Sequence, residues 1–205
     1  MLHNILQAFA QYKILTVILF AAVVLTVFAW IKALRAARVR SAKRDALLKK
    51  LRQEEELRRT FAVITPDLAE QAEPLDMLHG IALRIQKEIE NADDLTAAFS
   101  SLPAVKQHIY ALSFVFCEDA QTLSEFFRLN GKPLTTAALD GARASFPPDA
   151  LTVFEKGYTM FDDEDETLST LPADVEALDA AFSSLDKPAI CDGIRKYIAA
   201  NAADL

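Results

Sequence analysis

Residues 14–31 read ILTVILFAAVVLTVFAWI, with no charged residue, no Gly and no Pro. At about 1.5 Å per residue a helix over this run spans roughly 27 Å, close to the thickness of a hydrocarbon core. Lipid offers the backbone no partners, so a helix is the conformation expected there. Thr16 and Thr26 can return their hydroxyls to the helix's own carbonyls. Tyr12 and Trp30 stand near the two ends, where amphipathic rings favour the interface. The pattern therefore predicts one transmembrane helix over 14–31.

The pattern changes after that run. Residues 32–57 are rich in Ala, Leu, Arg, Lys and Glu, good helix formers, and predict a helical stalk. Its apolar positions Leu34, Leu47, Leu48 and Leu51 keep no clean heptad, which argues against a coiled coil. From Leu75 on, helical stripes dominate. Leu75, Leu78, Ala82, Ile85 and Ile89 step by three and four. Val105, Ile109, Leu112 and Phe116 do the same, and Tyr110, Phe114 and Val115 widen that face, so this helix is expected at the centre. Further helices are predicted around Leu123, Phe126 and Phe127, over 133–145 and 147–159, after Pro172 with Val175, Leu178, Phe182 and Leu185, and after Pro188 with Ile190, Ile194, Tyr197 and Ile198. Thr65-Pro66-Asp67 has the form of a helix start. No segment sustains a period of two. The fold class expected is all-α with about seven helices in the body. The domains expected are 1–13 as a short outer segment, 14–31 as the membrane helix, 32–57 as the basic stalk, and 58–205 as the acidic domain.

Charge sharpens this division. The chain of 205 residues carries a formal charge of −7. Residues 1–53 hold ten Lys/Arg against one Asp, whereas residues 54–205 hold 12 Lys/Arg against 28 Asp/Glu, a formal −16. Only Lys13 precedes the apolar run, while Lys32, Arg35, Arg38, Arg40, Lys43, Arg44, Lys49, Lys50 and Arg52 follow it. The positive-inside rule then places the N-terminus outside a plasma or inner membrane and the acidic domain in the cytoplasm. A cleaved signal peptide is disfavoured by the length of the run and by basic residues that follow rather than precede it. Lys32, Arg35, Arg38, Arg40, Lys43 and Arg44 are the candidate contacts to anionic headgroups. An acidic body does not bind nucleic acid by counterion release. Its expected partner is a basic protein.

Catalytic patterns are missing from the sequence. Five glycines, scattered, build no phosphate-cradling loop. There is no His-Glu-x-x-His pair and no Gly-x-Ser-x-Gly elbow. Cys117 and Cys191 sit on apolar helices and read as structural thiols. No enzyme activity, cofactor or metal is expected. Glu118-Asp119 beside Cys117 is the nomination for a metal-assisted enzyme, without a recognised ligand spacing behind it. The run Asp162, Asp163, Glu164, Asp165, Glu166 lacks the calcium-loop spacing and is the candidate docking surface for a basic partner.

Three blocks from Leu102 onward carry a resemblance. Leu102-Pro103 is followed by Tyr110-Ala111-Leu112. Phe126-Phe127 is followed by Asn130-Gly131. Leu178-Asp179-x-x-Phe182 is followed by Ile194 to Ile198 and a short Ala/Asn tail. Together they resemble a little-characterised all-α domain family whose named example is a DNA mimic, an acidic protein that occupies the DNA-binding surface of a partner. The chain departs from that family at 120–123, where Ala-Gln-Thr-Leu stands in place of Asn-Gly-Gly-Phe. The resemblance implies an all-α fold and a DNA-binding protein as partner. The function expected is a membrane-anchored interaction module with an acidic helical surface, DNA-mimic-like in the narrower version. The alternatives are a structural single-pass membrane component, in which small Ala21, Ala22 and Ala29 permit a homodimer, and the metal-assisted enzyme.

Overall fold

Capping residues and prolines decide where each helix begins. The computed structural model describes residues 17, 30, 32, 44–117, 122–161 and 171–205. Thr65 Oγ1 accepts the Leu68 N–H and opens α1, Pro66–Gln71. Pro74 stands at the first turn of α2, Pro74–Ile89. Asp94 accepts the N–H groups of Thr96 and Ala97 at 2.9 and 3.0 Å and opens α3, Leu95–Ser100. Pro103 precedes α4, Ala104–Phe116. Thr122 caps α5, Leu123–Leu129, and Pro133 precedes α6, Leu134–Ser145. Pro148 and Pro172 open α7, Pro148–Met160, and α8, Pro172–Ser183. Asp186 caps α9, Lys187–Ala200, and a 3₁₀ turn, Ala202–Asp204, follows. Proline is favoured at these positions because its missing N–H falls among those a helix start leaves unpaired anyway.

The described residues contain no strand, so the fold is all-α. From Pro66 they form nine α-helices, where the sequence pattern predicted about seven. The difference lies in single-turn helices such as α3, which are too short to show an apolar stripe. The Thr65 start likewise produces a helix of six residues that stops at Gln71.

The chain divides into two units, Met1–Arg52 and Gln53–Leu205. Among the described residues no helix is long and apolar enough to cross a membrane. Apart from Val17 and Trp30, the expected span 14–31 lies outside the described residues, as do Arg35, Arg38, Arg40 and Lys43. In the first unit, residues 44–52 are helical and exposed. The second unit starts with helical residues 53–60, so it takes in 53–57 of the expected stalk. Leu57 and Phe61 pack on the core there, close enough that a Cβ on Gly80 of α2 would lie 2.5 Å from the Phe61 ring.

The core of the second unit forms around α4. Ile109, Ala111, Leu112 and Val115 are buried, and the helix packs chiefly against α2 and α6. α2 presents Met77, Leu78, Ile81, Ile85 and Ile89, and α6 presents Ala137, Ala138 and Ala142. A second focus is aromatic. Phe126 and Phe127 of α5 meet Phe154 of α7 at ring-centroid distances of 6.2 and 5.3 Å, and Phe146 meets Phe154 edge-on at 5.7 Å. Such pairs add to their burial through the ring quadrupoles, about 0.5–1.5 kcal/mol each.

Two polar braces cross between helices. Asp179 of α8 accepts the Ser124 N–H at 2.9 Å and the Ser124 hydroxyl at 2.6 Å, so one helix supplies an end cap to another. Arg84 of α2 donates to the carbonyls of Phe61 and Ala62 and to the Leu205 backbone oxygen. It thereby ties segments far apart in the chain to one side chain.

α9 approaches α6 so closely that a Cβ on Gly193 would overlap the Ser145 carbonyl oxygen. Gly193→Ala therefore destabilises the unit by about 2 kcal/mol or more despite alanine's better helix propensity, because backbone must move. Gly131→Ala meets open space within 4 Å and leaves stability nearly unchanged. Urea unfolding of the two variants checks the contrast. Asp179→Ala costs about 1–2 kcal/mol in the same assay through loss of the inter-helix cap.

Candidate functional site

α4 carries apolar side chains around most of its circumference, and one face is left partly open. Tyr110 and Phe114 point there, 5.1 Å apart and nearly perpendicular, and Tyr110 lies 5.8 Å from Phe99 of α3. These rings line a pocket of about 420 Å³. Ile89 and Glu90 close one side, Leu95 and Thr96 another, and residues 130–134 between α5 and α6 a third. The volume lies in the range of about 300–1,000 Å³ usual for ligand pockets. Leu95 on the wall is 55% exposed, and Leu129 beside Asn130 is 72% exposed, so the rim carries apolar surface open to solvent. Polar side chains are few: Gln86, Glu90, Thr96, Asn130, Lys132 and the Tyr110 hydroxyl. Such a cavity suits an aliphatic or aromatic group with a polar tip.

A second feature lies at the other end of α2. Asp67, Glu70, Glu73 and Asp76 recur at every third position across α1 and the start of α2, and all are exposed. No Lys or Arg occurs between Arg59 and Arg84. Among the described residues, the carboxylates of Asp67, Glu70 and Asp76 make no side-chain hydrogen bond or ion pair, whereas Glu88 binds Lys106 at 2.8 Å and Glu155 binds Arg143 at 3.1 Å. At about 1.5 Å per residue, Asp76 and the pocket residue Glu90 are roughly 21 Å apart along α2. No described carboxylate of the second unit is buried. The absence of basic residues over this stretch is the sequence signal that marks the array. The density of the 162–166 run overshadows it.

Most of the site residues predicted from sequence lie outside the described residues. The run Asp162, Asp163, Glu164, Asp165, Glu166 and the pair Glu118-Asp119 lie outside the described residues. Lys32 and Arg44 are described and exposed, and Arg44 pairs with Asp45 at 3.9 Å. Among the described residues no group of three or more His, Cys, Asp and Glu could hold a metal. Cys117 is half-buried, and its thiol lies 3.6 Å from the Leu75 carbonyl oxygen. Cys191 is also half-buried. Burial pushes its thiol pKa up, Glu73 adds to this, and Arg195 and Lys187 oppose it. A thiol held protonated is a poor nucleophile.

His108 is a half-buried titratable group that the fold engages directly. Its Nδ1 and the Tyr197 hydroxyl of α9 share a hydrogen bond of 2.7 Å, joining α4 to α9. Burial lowers the His108 pKa, and the neighbouring Asp140 carboxylate of α6 partly offsets this. Burial also raises the Tyr197 phenol. An unfolded histidine titrates near about 6.5. The folded value lies below that, so the unfolded state binds the proton more readily. Stability from His108 is full above that pH and declines as pH falls through the folded value.

Urea unfolding between roughly pH 7.5 and 5 reads this slope. His108→Gln flattens it. Tyr197→Phe leaves the imidazole nitrogen without its partner and costs about 1 kcal/mol at neutral pH.

No family model matches the chain, and no curated protein or solved structure matches it.

Proposed function

We propose that this chain is a membrane-anchored interaction module whose acidic helical unit docks a basic protein. One observation carries the reading. The charge changes sign, from ten basic residues against one acid to a formal −16, within a residue of Gln53, where the second unit begins. Several features support it. The described carboxylates of that unit are all at least partly open to water, and no Lys or Arg occurs in sequence between Arg59 and Arg84 around the array from Asp67 to Asp76. Such a surface attracts a cationic partner over about a Debye length, ~10 Å at 0.1 M salt. The Phe99–Tyr110–Phe114 pocket gives the partner a place to bury one apolar side chain, the kind of anchor that dominates interface energetics. The apolar run 14–31 and the basic residues after it supply the anchor and its orientation.

In the narrower version the partner is a DNA-binding protein and the carboxylates stand where phosphates would. That version rests on the resemblance of residues 102–205 to the DNA-mimic type. The residues in those blocks are mostly structural: Phe126 and Leu178 are fully buried, Phe127 nearly so, and Asp179 caps α5. They support the fold more directly than the mimicry.

Affinity capture with the detergent-solubilised full chain tests the reading. A basic partner is retained at low salt and released at high salt. Retention drops at least about tenfold when Asp67→Asn, Glu70→Gln and Asp76→Asn are combined, since three charges at the contact are then lost. Leu95→Asp weakens capture without unfolding the chain, because Leu95 is exposed. No retained basic protein even at low salt overturns the docking role.

A further inference from the structure

The helical residues 44–52 of the first unit leave a leucine face uncovered. Leu47, Leu48 and Leu51 are 57%, 44% and 51% exposed. At 3.6 residues per turn the three lie on one side of the helix. Lys50 borders that side on one flank and Arg52, with Asp45 beside it, on the other, while Ala46 and Lys49 lie opposite. Solitary exposed leucines are ordinary, but three on one face edged by cations form an amphipathic pattern.

We infer that residues 44–52 form an interfacial helix that lies on an anionic lipid surface, with Leu47, Leu48 and Leu51 at the acyl boundary and Lys50 and Arg52 among the headgroups. This deepens the membrane-anchored reading and rests on it. Charge complementarity selects the occupant. Residues 44–52 hold Arg44, Lys49, Lys50 and Arg52 against Asp45, and residues 32–43 add Lys32, Arg35, Arg38, Arg40 and Lys43 with no acid. Long cationic side chains lay their methylenes along apolar surface and reach outward to phosphates, the arrangement the flanking positions permit. A second copy of the helix fits less well. One turn before the leucines the same face meets Arg44, and one to two turns after it meets Glu54, Glu55 and Arg58, so no seam continues. Two copies would also bring like charges together. The headgroup contacts read from the sequence, Lys32 to Arg44, stop short of this leucine face.

The test uses the full chain in phosphatidylcholine vesicles with and without phosphatidylglycerol. Nitroxide labels are placed through Leu48→Cys or Lys49→Cys in a Cys117→Ser, Cys191→Ser background. The expected result, with phosphatidylglycerol present, is that the label at 48 loses collisions with a water-soluble nickel complex and gains them with oxygen, while the label at 49 stays aqueous. Backbone deuterium exchange of residues 44–52 in the unsubstituted chain gives a second measurement and slows only in the anionic vesicles. Labels at 48 and 49 that are equally aqueous in both vesicles overturn the inference. Protection at 48 that ignores phosphatidylglycerol, or that rises with protein concentration in detergent, also overturns it and indicates a second copy of the helix. Vesicle flotation separates the two readings. A chain that floats with both vesicle types while position 48 stays aqueous loses only this inference. A chain that floats only with anionic vesicles keeps it and loses the transmembrane anchor, and a chain that floats with neither loses both.

Discussion

The second unit is organised by the burial of α4. A helix of 13 residues that is apolar over most of its circumference cannot rest at the surface, so it must be covered by partners on several sides. α2 and α6 provide most of that cover. What α4 displays on its remaining sides then determines much of the rest. Tyr110 and Phe114 are left facing a gap that becomes the pocket. Lys106 meets Glu88 of α2 at 2.8 Å, and His108 meets Tyr197 of α9 at 2.7 Å. Three helices are thus fixed about one axis by a combination of bulk burial and a small number of directed polar contacts.

The exposed ion pairs act as register marks rather than as sources of stability. An ion pair as exposed as Arg143–Glu155 is screened by water and contributes little. The Asp179 brace on Ser124 is different, because it satisfies donors at a helix end that the fold partly encloses. The close approach of α9 to α6 at Gly193 is different again. It permits contact only where no side chain intervenes, so the sequence there admits little substitution.

Charge is distributed by a separate rule. The unit that must bury a core places its described carboxylates outward, and several of its basic residues are paired: Lys87 with Glu90, Lys106 with Glu88, Arg143 with Glu155 and Lys196 with Asp192. The excess of negative charge therefore remains where carboxylates outnumber basic neighbours, as along α1 and the start of α2, where Arg195 of α9 reaches the Ala72 carbonyl but forms no ion pair with Asp67, Glu70 or Asp76. The first unit has the opposite excess, and its leucine face lies beside cations. Two surfaces of opposite sign on one chain suit two different contacts.

By itself the sequence determined the helical class, the central position of α4 and the stripe of α2, because a period of 3.6 in apolar residues reports which face must leave water wherever the helix ends up. It also determined the partition of charge, which is additive along the chain. α3 escaped it, since one turn is too short for a period to show. The pairing of His108 with Tyr197, 89 residues apart, the brace between Ser124 and Asp179, and the pocket under Phe99, Tyr110 and Phe114 were decided only by tertiary structure. Each depends on the angle and distance at which helices cross, and those are set by the fit of buried side chains from several segments at once. No local pattern encodes that fit.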